Sequence, residues 1–376
     1  MNPQDHADVI VVGLGALGSA TAFHLAKRGA RVLALDQFQP PHNRGSSHGQ
    51  TRIIREAYFE HPCYVPLVQR AYELWFNLEK ATGARLFQQT SGIMIGPTDG
   101  LLVGGSRKSA LQHHIKFEEL RADEIRRRFP AIHPTGDMRG ILEPRAGILF
   151  PEKCIDAHLR AADRAGAVLK TRERVCGWRA GQSGVSVRTD QAEYTAAQLF
   201  FSVGSWTNRL VPELRLPLRI ERQIQFWFAP RRPSEFTAER LPIFICEYEP
   251  TRFFYAFPDL GQGFKIAKHH EGATADPDTL DRTVTRSEEE EMRSLLRRFV
   301  PEADGPLLAT EVCMYTNTPD GHFLIDRHPA HAQVLIGSAC SGHGFKFSSV
   351  MGEIAADLLL EGKTSLDVSR FRLRFG

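Results

Sequence analysis

No apolar stretch in this 376-residue chain approaches the length of a membrane span, and no run of Lys or Arg offers a surface for lipid or nucleic acid. An excess of one charge is also lacking: 47 Lys and Arg face 44 Asp and Glu, a formal net charge of +3. That balance argues against a polyanion-binding protein and suits a small anionic ligand held by a few placed cations. Cysteine is sparse and scattered. Cys63, Cys154, Cys176, Cys246, Cys313 and Cys340 form no C-x-x-C and no paired spacing, the pattern of reduced cytoplasmic thiols rather than of a disulfide framework. Met1 to Ala7 is polar and leads straight into an apolar run, so no secretory leader is expected. Internal repeats and low-complexity tracts are absent, and no metal site is expected.

What is present is ordinary globular material, 42% hydrophobic and 24% charged, in a length suited to two domains. Asp8 to Gly13 is a short run of β-branched residues, the pattern of a strand buried on both faces. It runs into Gly13-Leu-Gly15-Ala-Leu-Gly18, then into a helical stretch that stops at Gly29, and Arg31 to Asp36 supplies a second strand. Gly13 permits the tight turn, Gly15 admits a pyrophosphate to the backbone, and Gly18 lets the helix pack closely so that its first amides face the phosphates. Asp36, at the second strand's end, can accept hydrogen bonds from ribose hydroxyls. A lone G-x-G-x-x-G is weak, but its place between strand and helix with an acid at the next strand end makes it a dinucleotide site. The motif serves NAD and FAD alike.

Downstream, the spacing of Leu67, Ala71, Leu74 and Leu78 predicts a helix over Val65 to Ala81. Arg121 to Arg128 and Cys154 to Ala165 read as further helices. Val185 to Arg188, Glu193-Tyr194 and Leu199 to Val203 read as strands. From Arg219 the texture changes: Gln225 to Phe228, Ile243 to Ile245, Phe253 to Phe257 and Phe264 to Lys268 look like antiparallel strands with aromatic faces. Phe226, Phe228, Phe244 and Tyr255 either line a roomy cavity or fill a core. Ser287 to Phe299 is a helix, acidic early and basic late. The tail returns to strand, Gly-rich turn and helix, with Met351, Ile354, Ala355 and Leu358 on one face of Ser348 to Leu360. The two textures interleave, which suggests a discontinuous two-domain enzyme.

Three stretches carry chemistry. Gly45 to Arg55 places His48, Thr51, Arg52 and Arg55 in a small-residue loop. Arginines three apart point the same way if the segment turns helically, and both then serve one anionic site; otherwise they are solvated surface residues. Cys313-Met-Tyr315 holds either a core thiol or a special one. Ser341-Gly342-His343-Gly344-Phe345-Lys346 is either a helix-end turn or a site where a helix N-terminus stabilises negative charge.

Together with the N-terminal glycines, Phe257-Pro258 and Lys265 to His269, these stretches resemble the monomeric sarcosine oxidase and N-methyltryptophan oxidase family of FAD enzymes, over essentially the whole chain. The resemblance implies an α/β protein: a Rossmann-like FAD-binding domain (residues 1–88, 142–218 and 313–376) and a second α+β substrate domain built on an antiparallel sheet (89–141 and 219–312). It implies FAD attached covalently through the sulfur of Cys313, with Gly13, Gly15, Gly18, Asp36, Thr51, Val175, Gly204, Gly342, Gly344 and Lys346 about the cofactor. His48 and Arg52 match residues beside the flavin, and Lys265 matches the lysine that activates oxygen. Arg55 and Lys346 match the pair that holds the substrate carboxylate; Tyr255, His269 and Tyr315 match residues lining the substrate cavity. The implied reaction is oxidation of an N-methyl amino acid, giving formaldehyde, the primary amino acid and hydrogen peroxide. A secondary amino acid and oxygen are then the partners of a monomer, with neither nucleic acid nor membrane.

Departures from the family pattern are Ser47, Gln50 and Glu56, which replace a histidine, an aspartate and a histidine. Glu56 adjoins Arg55 and is expected to pair with it. The loop from Pro258 to Lys265 is short, which bears on substrate size. Rival readings are a bulkier or cyclic substrate (N-methyltryptophan, pipecolate, proline), a dehydrogenase passing electrons to a quinone, a non-catalytic flavin-binding subunit, and an NAD-dependent dehydrogenase.

Overall fold

The computed structural model describes residues 6–338 and 340–373; the first five residues of the polar start, Met1 to Asp5, lie outside them. Two eight-stranded sheets and a three-stranded one organise the chain. The first sheet grows from β1 (His6–Val12), which pairs in parallel with β2 (Val32–Asp36) and β12 (Glu193–Phe201). Beyond β2 lies parallel β9 (Val168–Thr171). Glu193-Tyr194 and Leu199 to Val203, expected as two strands, form one that ends at Phe201. Its early half takes antiparallel β11 (Gly184–Thr189) and its late half parallel β19 (His331–Ser338). β10 (Val175–Gly181) and β18 (Leu324–His328) complete the sheet.

Alternation along β1 explains its unbroken apolar run. Val9 and Val11 enter one core with helices α1 (Ala16–Lys27), α2 (Tyr64–Thr82), α5 (Pro151–Arg164) and α8 (Ser348–Leu360), while Ile10 and Val12 enter a separate core on the other face. In α8, Met351, Ile354, Ala355 and Leu358 are all buried as their spacing predicts. α8 crosses α1 where Gly352 faces Ala20; a Cβ there would stand 2.5 Å from the Ala20 Cβ.

The second sheet runs β17 (Leu307–Asn317), β13 (Arg219–Phe228), β16 (Phe264–His269), β15 (Arg252–Phe257), β14 (Ile243–Glu249), β5 (Gly92–Pro97), β7 (Met138–Glu143), β6 (Glu118–Arg121). From β17 to β14 every pairing is antiparallel, and β14 meets β5 in parallel. Phe226, Phe228 and Phe244 fill the core beneath this sheet with Leu295, Leu296 and Phe299 of α7 (Arg286–Phe299), so three of the four questioned aromatics are core. α4 (Ala122–Arg128) adds Ile125, and α3 (Leu101–Gln112) packs over β5. The boundaries drawn at 141/142 and 312/313 fall inside β7 and β17, and both strands stay paired in the second sheet on either side of them. The small sheet, β3 (Arg52–Ile54), β8 (Gly147–Leu149) and β4 (Phe87–Gln89), carries Arg52.

Candidate active site

A cavity of about 570 Å³ runs between the two large sheets, from the first glycine turn to Tyr255 and His269. At its nucleotide end, Gly13 has φ +89°, and a Cβ on it would stand 2.7 Å from Ser202 O. A Cβ on Gly18 would lie 1.7 Å from Gly13 O, whereas one on Gly15 would meet nothing within 4 Å. The turn is therefore closed around its own backbone and open only in front of α1, where phosphates need approach. The Asp36 carboxylate is buried and accepts the N–H of Leu14 (2.7 Å) and of Phe38 (2.8 Å), which leaves each oxygen a lone pair for a ribose hydroxyl. Burial pushes its pKa upward against those two donors. Phe38, His42, Trp206 and Arg209, none of them singled out from the sequence, line the same end. The residues fit an FAD.

Of the expected site residues, Gly13, Gly15, Asp36, Arg52, Arg55, Val175, Gly204, Tyr255, His269, Cys313, Tyr315, Gly342, Gly344 and Lys346 line this one cavity; Gly18, His48, Thr51 and Lys265 do not. Arg52 and Arg55 do reach the same cavity, but not by a helical turn. The segment is extended, because Ile53 and Ile54 pair with Ile148 and Gly147, and Arg55 follows directly on the strand end. The ion pairs also correct the expected partner of Arg55. Glu56, the next residue, pairs with Arg145 (2.5 Å), while Arg55 Nη2 reaches Glu60 (2.8 Å) and Nη1 donates to Ala57 O (2.7 Å). Glu143 secures the turn by accepting the amides of Glu56 and Ala57; burial lifts its pKa to about 7. Sequence reading missed Glu60 and Glu143, neither of which stands in a motif.

Lys346 is buried, donating to His343 O (2.9 Å), and burial together with Arg55 brings its pKa down to about 7. Arg52 donates to Thr51 O and Ser46 O (2.8 Å each) and forms no carboxylate pair among the described residues. His269 sits 3.3 Å from the Tyr315 hydroxyl with its pKa lowered by burial, then by His270. The Tyr255 phenol is pushed up to about 12 by burial. Gly342 (φ +74°) brings the turn against both rings, since a Cβ would stand 2.7 Å from Tyr315 and 2.8 Å from His269.

Lys265 is fully enclosed. Its Nζ donates to Gly49 O (2.5 Å) and Thr51 Oγ1 (3.0 Å) between the rings of Trp227 and Phe257, each 5.0 Å away, and burial drives its pKa well down. Buried His48, held to about 3 by burial and then Arg52, has no hydrogen-bond partner on either ring nitrogen among the described residues. Cys313 lines the cavity, and its sulfur receives the Gln225 amide at 3.4 Å. All six cysteines are free.

A dinucleotide cradle opening into a cationic, aromatic-walled chamber defines a flavin-dependent oxidoreductase. Residues 8–358 match the family described as FAD dependent oxidoreductase. The chain is 45% identical to a monomeric sarcosine oxidase of Streptomyces avermitilis, covering 97% of this chain and 96% of that protein. It is 35% identical to an N-methyl-L-tryptophan oxidase of Yersinia pestis, covering 97% and 98%. Among solved structures, the open form of NikD, an amino acid oxidase essential for nikkomycin biosynthesis, superimposes with a TM-score of 0.86 at 25% identity, over 98% of this chain and 97% of that one. The chain thus belongs to the FAD-dependent oxidoreductases and, among them, to the family of the monomeric sarcosine oxidases and N-methyl-L-tryptophan oxidases. No helix among the described residues is long and apolar enough to cross a membrane.

Proposed function

We propose that this protein is an FAD-dependent oxidase of small N-methyl amino acids, of which sarcosine is the simplest. The observation that carries the reading is the imbalance of charge at the Tyr255 and His269 end of the cavity: Arg52, Arg55 and Lys346 line it there with Glu60, while the other lining carboxylates among the described residues, Asp36, Glu173 and Asp278, lie at the nucleotide end. A substrate carboxylate completes that balance, on the planar fork of Arg55 and the point charge of Lys346. Tyr255, His269 and Tyr315, neutral at physiological pH, form the wall beside the substrate amine and keep water from it. The substrate amine enters neutral, so no general base is assigned. Bound FAD supplies the two-electron chemistry that carries electrons from the substrate C–N unit to oxygen. Sarcosine, oxygen and water then yield glycine, formaldehyde and hydrogen peroxide.

Lys265 is assigned to oxygen: its Nζ, enclosed by carbonyls and aromatic rings, carries N–H donors that stabilise negative charge as oxygen is reduced. Cys313 is assigned to covalent attachment, supported by its place in the cavity lining. The working form is read as a single cytoplasmic chain, with an FAD lobe on the first sheet and a substrate lobe on the second. The free thiols and the word monomeric in the names of its relatives support this.

Anaerobic titration of the purified protein with sarcosine and then with N-methyltryptophan tests the reading. Bleaching of the flavin by sarcosine is expected. Bleaching only by the bulkier amine moves the substrate to that class, and a flavin reduced by dithionite but by neither amine points to a cyclic substrate.

A further inference from the structure

The two cations assigned to the substrate carboxylate share a support that none of the sequence motifs contains. Tyr58 is wholly buried and does not line the chamber. The Arg55 guanidinium carbon stands 4.3 Å from its ring centroid, and Lys346 Nζ stands 5.3 Å from the same centroid. Nζ is also 3.4 Å from the Tyr58 hydroxyl oxygen, which lies 2.7 Å from His343 Nδ1. His343 Nε2 lies 2.9 Å from Gly321 O.

That last contact sets the direction of the whole chain. A carbonyl only accepts, so Nε2 carries the proton and Nδ1 of the neutral ring is the acceptor. The Tyr58 hydroxyl then donates to Nδ1, which leaves its oxygen lone pairs for the Lys346 ammonium. Burial holds His343 neutral, with a pKa brought down to about 4. The ring face meanwhile presents its negative quadrupole to the guanidinium.

We propose that Tyr58, with His343 behind it, is the positioning residue that holds Arg55 and Lys346 side by side on one substrate carboxylate. Its ring faces the guanidinium and its hydroxyl oxygen accepts from the ammonium. The inference rests on the reading of Arg55 and Lys346 as the carboxylate pair. Lys346 is faced by Arg55, Arg52, Glu60 and Tyr58, by His343 on its own turn, and by His269 from β16. Of these, Tyr58 is the one whose removal takes away a hydrogen bond to the ammonium without changing the count of charges. Its loss destabilises the charged lysine, so affinity for an anion disappears at lower pH.

The experiment uses the flavin-loaded enzyme and two probes, read by the change in flavin absorbance between pH 6 and 9. Methoxyacetate is the oxygen isostere of sarcosine and carries no amine; methoxyacetamide is its uncharged twin. Tyr58→Phe is expected to weaken methoxyacetate binding about tenfold and to move its alkaline midpoint down by about half a unit, with methoxyacetamide changed less than about twofold. His343→Phe, which suits the ring cluster of Tyr64, Phe323 and Phe347 around it, is expected to act in the same direction by freeing the Tyr58 hydroxyl to rotate. This second variant decides alone if the first does not retain flavin. Wild-type affinity and midpoint in the variants overturn the proposal, as does equal weakening of both probes. If the wild-type enzyme itself does not prefer methoxyacetate to methoxyacetamide, the carboxylate reading falls and takes this inference with it.

Discussion

Arg55 is held so completely that its substitution separates charge from geometry. The guanidinium bonds Glu60 and Ala57 O while lying on Tyr58 and Phe59. Arg55→Met removes a charge-assisted contact of roughly 2 kcal/mol, so KM for sarcosine should rise ~30-fold, with the uncompensated Glu60 adding to the loss. Arg55→Lys should recover only part of this, because an ammonium cannot reproduce the fork. Lys265 is tested by reduction and reoxidation measured separately. Lys265→Met should slow reoxidation of the flavin by oxygen more than about tenfold and alter its reduction by substrate much less; an unchanged reoxidation rate removes Lys265 from oxygen chemistry. The types of these residues were legible from the resemblance, and their partners were not. Glu56 looked like the counterion because it is adjacent, but the chain bends at Glu56 and Ala57 just past the strand end; Glu56 pairs with Arg145, and the carboxylate five residues on takes its place.

At the scale of the element, the β1–α1–β2 unit is where local sequence decided most. Its strand, turn and helix are set by β-branched alternation and by three glycines, each with a separate steric task. Gly18→Ala is the sharpest probe, since the new methyl would stand 1.7 Å from a backbone oxygen and 2.4 Å from Ser202 Oγ. The purified variant should lack FAD absorbance, and absorbance at the wild-type level would show that α1 shifts freely. Helix α2 was equally legible, for Leu67, Ala71 and Leu78 are buried and Leu74 half-buried where the period puts them. Strand pairing was not. Nothing local to Ile243 to Glu249 announces a parallel neighbour at Gly92 to Pro97, and β12 reads as two strands because the residues between its halves alternate weakly. Phe226, Phe228 and Phe244 are aromatic strand residues with the same pattern as Tyr255, yet only Tyr255 faces the cavity.

For the whole molecule, the cofactor cavity is the seam at which the two sheets meet, so ligand binding and stability are linked. On the assignment of Cys313 to covalent attachment, Cys313→Ser should release its flavin on acid precipitation, and the wild-type flavin should stay with the protein. FAD at about a thousandfold over its Kd should then stabilise the serine variant by about 4 kcal/mol, read as a rise in its thermal midpoint on adding FAD. A midpoint indifferent to FAD would mean that the sheets hold together without the cofactor.

By itself the sequence determined the dinucleotide unit, the helices with strong period, and the inventory of cations and free thiols, because each depends on residues within a few turns of one another. Only the tertiary structure decided what those cations touch. The contacts that define the site join Lys265 to Gly49 across 216 residues and Tyr58 to His343 across 285. Burial and the demand that each enclosed donor find an acceptor select such pairs, and both conditions exist only once the sheets have closed on each other.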